Sequence, residues 1–225
     1  MMNKFILETL RIRPKNLAAF TEHYQHILLP DLRTKMPDKM SICRFEEYGA
    51  ANSLAWFTQR HLTVYQADET TLTDVLPKHW PNISVGHPEG IYYCERVLFE
   101  EIYAHPRNND RPAFERRPFF VVAVDVNPAK HNVFVQWYHH EYLPKTLADI
   151  PVWSACRRYR AKNISDNVIK EITIYEADNE GDLNRGFELL RAPYRYGSNE
   201  DWERYVKECI VSQDAMSFRP IFYLP

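Results

Sequence analysis

Two stretches, Lys4 to Ile12 and Phe119 to Val126, are rich in apolar and β-branched residues, and each runs into a proline, Pro14 or Pro128. The pattern predicts a strand in each place, with the proline opening a helix at its first turn. Over about 16–35 apolar side chains recur at helical spacing (Leu17, Phe20, Tyr24, Ile27, Leu28), and over about 129–148 Phe134, Trp137, Tyr138 and Tyr142 do the same. Pro30 and Pro144 are expected to kink these helices late or to end their regular part. Two strand-like runs follow in each place, Met40 to Tyr48 with His61 to Ala67, and Ser154 to Lys162 with Lys170 to Ala177, each pair expected as a hairpin. Beyond them the first part offers a short helix near 71–76, a loop carrying Pro77, Pro81, Gly86 and Pro88, and a strand from Ile91 to Phe99. The second part offers a longer helix at about 180–190, a turn around Pro193 and Gly197, a helix opening with a capping box at Ser198 to Asp201, and a strand from Phe218 to Leu224. Pro220 inside that strand suggests an edge or a bulge.

These parallels are a repeat. Sliding the chain by 114 residues aligns Phe5 to Phe45 with Phe119 to Tyr159 without a gap, and Phe5/Phe119, Pro14/Pro128, Phe20/Phe134, Tyr24/Tyr138, His26/His140, Leu29/Leu143, Pro30/Pro144, Pro37/Pro151 and Arg44/Arg158 are identical. Ordinary residue frequencies give roughly 2 to 3 matches in such a window. The offset then becomes 110, where Leu62 to Asp68 faces Ile172 to Asp178. Each copy reads as β-α-β-β-α-β, the split-βαβ or ferredoxin-like unit, so the fold class is α+β with two such units in one chain. One unit leaves a sheet face bare, and two can cover each other. The expected organisation is a first half over 1–104, an exposed linker over 105–118 with three prolines and four arginines, and a second half over 119–225.

The run Trp137-Tyr138-His139-His140-Glu141-Tyr142-Leu143-Pro144, followed by Ser154-Ala-Cys-Arg-Arg-Tyr159, resembles the W-Y-x-x-E-H-L-P … a-x-R-Y pattern of EthD-like members of the dimeric α/β-barrel superfamily. The resemblance implies a fused tandem of two units forming a pseudo-dimeric α/β barrel. It also implies an enzyme without a tightly bound organic cofactor (isomerase, cyclase, decarboxylase or cofactor-free monooxygenase) acting on a small aromatic or polyketide-like carbonyl compound. A haem-binding or haem-degrading protein of the same fold, with a histidine as axial ligand, is the alternative, and a non-catalytic small-molecule-binding module is the third reading. Where the pattern has His after Glu, this chain has Tyr142, and the first copy has Leu28, so no histidine carries over there.

Composition narrows the classes. The 225 residues carry 28 Lys plus Arg against 30 Asp plus Glu, a net charge of −2, which gives no whole-chain field to recruit nucleic acid or an anionic membrane. Met1 to Arg13 lacks a long apolar stretch and a small-residue cleavage site, so the expectation is a soluble, cytoplasmic chain. Cys43, Cys94, Cys156 and Cys209 are scattered and read as reduced thiols, with no metal site signalled. Six glycines form no G-x-G-x-x-G, Walker A or G-x-S-x-G sequence, so no nucleotide, flavin or nicotinamide cofactor is indicated and none is expected. The expected partner is a small hydrophobic or aromatic molecule, bound by a monomeric pseudo-dimer or a homodimer.

The expected chemistry lies in the second half. His140 and Glu141 are the proton-transfer candidates, Glu141 being placed toward the sheet, where burial would raise its pKa unless an arginine paired with it. Arg158 is the natural partner, either as an ion pair holding helix to sheet or as a clamp for a substrate anion. Tyr138 and Arg158 would orient an oxyanion, while Trp137, Tyr142, Trp153 and Tyr175 would line a pocket for a flat ligand. In the first copy Glu141, Trp137 and Tyr142 become Ile27, His23 and Leu28, which makes the second half the expected active site.

Overall fold

Strand β1 (Lys4–Ile12) begins where the apolar pattern begins, in a computed structural model that describes residues 4–37, 39–48, 60–81, 91–108, 111–162, 167–195 and 200–225. Pro14 opens a 3-10 turn that leads into α1 (Leu17–His23), a π-helical turn (Tyr24–Leu28) and α2 (Leu29–Thr34). Then come β2 (Ser41–Glu47), β3 (Arg60–Gln66), a short helical stretch over 71–79 and β4 (Ile91–Ala104). The second half repeats the order: β5 (Phe119–Val126), α3 (His131–Trp137), a π-turn (Tyr138–Tyr142), α4 (Leu143–Asp149), β6 (Trp153–Ala161), β7 (Ile169–Ala177), α5 (Glu180–Arg195), α6 (Glu200–Cys209) and β8 (Ile210–Leu224). The fold is mixed, with helices and strands in both halves. No helix among the described residues is long and apolar enough to cross a membrane.

The chain divides into two compact units. The first holds the described residues of Met1–Glu100 together with Phe114–Arg116 and Phe218–Pro225, and its strands run in the order β4-β1-β3-β2-β8. β1 pairs antiparallel with β3 and β4, setting Glu8 opposite Thr63 on one side and Arg96 on the other. The β2–β3 hairpin sets Arg44 opposite Thr63, and β2 pairs with β8 through a bulge beside Pro220. Strand alternation sends Ile6, Glu8 and Leu10 to one face and Phe5, Leu7 and Thr9 to the other. The first face takes the helix, with Phe20, Tyr24, Leu29 and Leu32 buried against Ile6, Leu10, Ile42 and Tyr65. Each such large side chain contributes about 1.5–3 kcal/mol by leaving water. On the other face Phe5 lies 4.8 Å from Phe114 and 5.5 Å from Phe99, ring centre to ring centre.

The second unit holds Glu101–Ala113 and Arg117–Ser217, with strand order β8-β5-β7-β6-β4. Its registers match those of the first: Val122 faces Thr173, and Arg158 faces Thr173 across the β6–β7 hairpin. Position 8 therefore corresponds to 122, 44 to 158, 61 to 171 and 63 to 173 in three dimensions as well as in sequence.

Several details differ from the sequence reading. Regular α-helix breaks ahead of Pro30 and Pro144, as expected, but the helical run does not end there. The π-turn immediately before each opens the backbone where the proline ring would meet the preceding turn, and the helix resumes. The connector around 105–118 is not exposed throughout: Asn108 is buried, donating to the Cys156 carbonyl at 3.0 Å and accepting from its N–H at 2.8 Å, and Phe114 is buried with φ at 60°. Helix α5 runs through Pro193 to Arg195. Gly86, Pro88, Gly197 and the first two residues of the capping box at Ser198 lie outside the described residues. Cys43, Cys156 and Cys209 are buried thiols and Cys94 is half-buried, with no disulfide among them.

Candidate functional site

The second unit brings Tyr138, Arg158 and Tyr175 together and leaves His140 and Glu141 outside. Both of the latter are exposed, so the expected Glu141–Arg158 pair does not form. The reason is local: both sit in the π-turn, whose wider winding removes them from the stripe that a 3.6-residue helix would carry toward the sheet. Arg158, fully buried on β6, instead pairs with Glu171 on β7 and meets His139 Nε2, and its guanidinium lies 4.4 Å from the Tyr138 ring centre. Glu171 is also held by His131 at 2.7 Å and Arg160 at 2.9 Å. Burial pulls Glu171 upward, but His131, Arg158 and Arg160 together keep it below the usual carboxylate value. Burial, followed by the Arg158 charge, pushes His139 down to about 4. The phenols of Tyr138 and Tyr175 are 3.3 Å apart.

The expected pocket-lining residues are packed against protein. Trp137 stacks on Tyr205 of α6 at 4.1 Å, Tyr142 lies 4.9 Å from Trp202, and Trp153 is fully buried 5.6 Å from Tyr175. The amphipathic α6, with Trp202 and Tyr205 on its inner face, fills the flat space that these aromatics would otherwise offer a ligand.

The first unit places a different network at the corresponding depth, between helix and sheet. Tyr24, from the π-turn, donates to Glu8 Oε1; Tyr65 on β3 donates to the same oxygen at 3.2 Å, and the two phenols are 2.8 Å apart. Arg96 on β4 donates to Glu8 Oε2 at 2.6 Å while its guanidinium lies 4.2 Å from the Trp80 ring centre. Glu8 is fully buried. Burial, then the Glu8 charge, pushes both phenols well above the usual tyrosine value, so they remain protonated donors. In the second unit Val122 stands where Glu8 stands, and the Tyr138–Tyr175 pair has no strand carboxylate beneath it.

Beside this network Arg44 is fully buried, its guanidinium 4.7 Å from the Tyr24 ring centre, and its Nε, Nη1 and Nη2 have no hydrogen-bond partner among the described residues. Both ring nitrogens of His61, Thr63 Oγ1 and Gln25 Nε2 are also buried without a partner among those residues. Glu46, the carboxylate closest in sequence, is engaged by Arg219 at 2.7 Å. The signal for these residues was present in the sequence. Alternation places Glu8 on the same face as Ile6 and Leu10, a charge at a helix-facing position, and the 110-residue offset sets His61 opposite Glu171. No group of His, Cys, Asp and Glu among the described residues is arranged to hold a metal ion.

No protein-family model matches the chain, and no curated protein matches it by sequence. Solved structures match it in shape. An anthrone oxidase-like protein superposes with a TM-score of 0.61 at 11% identity, over 99% of this chain and 92% of its own. A monooxygenase candidate from Fusobacterium nucleatum subsp. nucleatum ATCC 25586 gives 0.55 at 9% identity, over 99% and 94%. A chlorite dismutase candidate gives 0.52 at 11% identity, over 98% and 96%. The likeness is one of fold, a mixed arrangement of helices and strands shared over nearly the whole chain. Identity at this level carries the fold, and the chemistry of this chain rests on its own side chains.

Proposed function

We propose that this chain is an EthD-like enzyme, two ferredoxin-like units fused in tandem, that transforms a small aromatic or polyketide-like carbonyl compound by proton transfer without a nucleotide cofactor. The observation that carries the reading is the Tyr24–Tyr65–Glu8 network: two protonated phenols converge on one buried carboxylate oxygen in the first unit. A proton leaving the carbon beside a carbonyl passes to the Glu8 carboxylate, its electron pair moves onto the carbonyl oxygen, and a phenol O–H bonds the resulting enolate oxygen. Arg96, on the other Glu8 oxygen, holds the carboxylate in place. The anthrone oxidase-like and monooxygenase-candidate neighbours are of the kind this reading expects. His140 and Glu141 drop out of the catalytic assignment because they are exposed, and Arg158, Tyr138 and Tyr175 become a closed structural counterpart of the site.

The test is exchange or turnover of enolisable aromatic ketones by the purified chain, with Glu8→Gln and Tyr24→Phe compared against wild type. Each substitution lowers the rate about 10²-fold or more if the group acts in the proton-transfer step. Unchanged rates in both folded variants overturn the assignment. The haem alternative gains no support from the two histidines repeated between the halves, because His26 and His140 both lie on exposed surface. A Soret band in the purified protein would revive it.

A further inference from the structure

In both units a fully buried arginine projects from the second strand of the hairpin-bearing half toward the helix, and the two units answer it differently. Around Arg158 the protein supplies a carboxylate from Glu171 on the next strand and an acceptor nitrogen from His139 on the π-turn, which engage both terminal guanidinium nitrogens and leave Nε without a partner among the described residues. The residues at the matching positions around Arg44 are His61 and Gln25. Neither closes the site, for the three guanidinium nitrogens, both His61 nitrogens, Thr63 Oγ1 and Gln25 Nε2 are all unpartnered among the described residues. The two carboxylates nearest to it in the ladder are engaged elsewhere, Glu8 by Arg96 with Tyr24 and Tyr65, and Glu46 by Arg219. A buried guanidinium is retained where an anion meets it, and its planar fork suits the two oxygens of a carboxylate.

We propose that Arg44, with Thr63, His61 and Gln25, binds the carboxylate of a small organic acid, which supplies to Arg44 the negative charge that Glu171 supplies to Arg158 in the second unit. The charge count favours a monoanion. Arg44 is the cation at this spot, since burial and then the Arg44 charge hold His61 uncharged, with its pKa down to about 3. The surroundings favour an organic acid over an inorganic ion, because Phe20, Tyr24, Leu72 and Leu76 form the apolar cluster on this face. The site goes beyond the proposed reaction, since a carboxylate can bind here with or without turnover.

The experiment reads binding, not activity. The whole chain is titrated with acetate, benzoate and phenylacetate, with benzamide and inorganic phosphate as controls, by calorimetry and by the Nε–H resonances of the arginines. At least one of the three carboxylates is expected to bind and to shift the Arg44 resonance, with benzamide and phosphate at least tenfold weaker. Two variants locate the site. Arg44→Met removes the cation, and His61→Glu installs the carboxylate that the second unit already carries; each is expected to weaken binding at least tenfold in a chain that still melts cooperatively. No response to any of the three acids overturns the proposal, as does a response that survives both variants. Binding of phosphate as tightly as benzoate overturns the carboxylate assignment. Absence of turnover in the unaltered chain, with carboxylate binding intact, counts against the reaction and leaves this site standing.

Discussion

Arg44 and Arg158 are the same residue at the same register with opposite energetics. A buried ion pair that loses one partner leaves an uncompensated charge, whereas Arg44 has no hydrogen-bonded carboxylate among the described residues to strand when it is made apolar. Arg158→Met, which strands Glu171 in the interior, should cost about 3 kcal/mol in urea denaturation, softened by the remaining His131 and Arg160 contacts. Arg44→Met in the ligand-free chain should be neutral or stabilising in the same experiment. Equal losses in the two variants would mean that Arg44 has a protein counter-ion. His61 gives a pH dependence of definite sign. Its folded-state pKa of about 3 lies below the ordinary 6.5, so the unfolded chain takes up the proton first. Its contribution is fully present above pH 6.5 and is lost as pH falls toward 3, and His139, pushed down to about 4, acts in the same direction. The fall in melting temperature between pH 6.5 and 4.5 should therefore be shallower in His61→Leu than in the parent chain. An identical slope would place His61 in contact with water.

At the scale of elements, the strands and the first helix of each half were legible because their apolar periodicities are strong and the repeat supplies each twice. The candidate site was half legible. Tyr138, Tyr175 and Arg158 were singled out and do meet, but Glu141 was placed toward the sheet by a 3.6-residue period, and the π-turn at Tyr138–Tyr142 breaks that period. Sequence contains no direct sign of a π-turn; its trace is Pro144, two residues after it, and Pro30 after the Tyr24–Leu28 turn. Glu171 was overlooked because it comes from the third strand, where the offset between copies has changed from 114 to 110. The Trp137–Tyr142 aromatics point to the role of α6, whose Trp202 and Tyr205 cover them. Packing of α5 is tighter still. A Cβ on Gly186 would stand 2.6 Å from the ring of Trp153, which is fully buried. Gly186→Ala should thus destabilise the chain by about 1–3 kcal/mol through overpacking, even though alanine is the better helix former. A stabilised Gly186→Ala variant would show that α5 can lift from β6.

At the scale of the whole molecule, the compact units are not contiguous stretches of chain. The first unit takes Phe114–Arg116 and Phe218–Pro225 from beyond its own half. These pieces are structural necessities. Phe114 is held at a left-handed φ of 60°, a conformation costly for a bulky residue, and its ring packs 4.8 Å from Phe5 and 6.2 Å from Phe45. Residues 218–224 pair with β2, the strand that carries Cys43, Arg44 and Phe45 in its buried run. A fragment ending at residue 104 loses both: the aromatic cluster on one face of its sheet has a gap, and β2 becomes an unpaired edge of apolar residues open to other chains. Such a fragment should give no cooperative thermal transition and should associate, as read by circular dichroism and light scattering, while the full chain melts cooperatively. Restoring the missing strand as a separate 210–225 peptide should reduce the association but leave the Phe114 gap unfilled. A monomeric 1–104 fragment with a sharp transition would instead mean that the first half closes its own core, and that the late strand is an addition to a unit already complete.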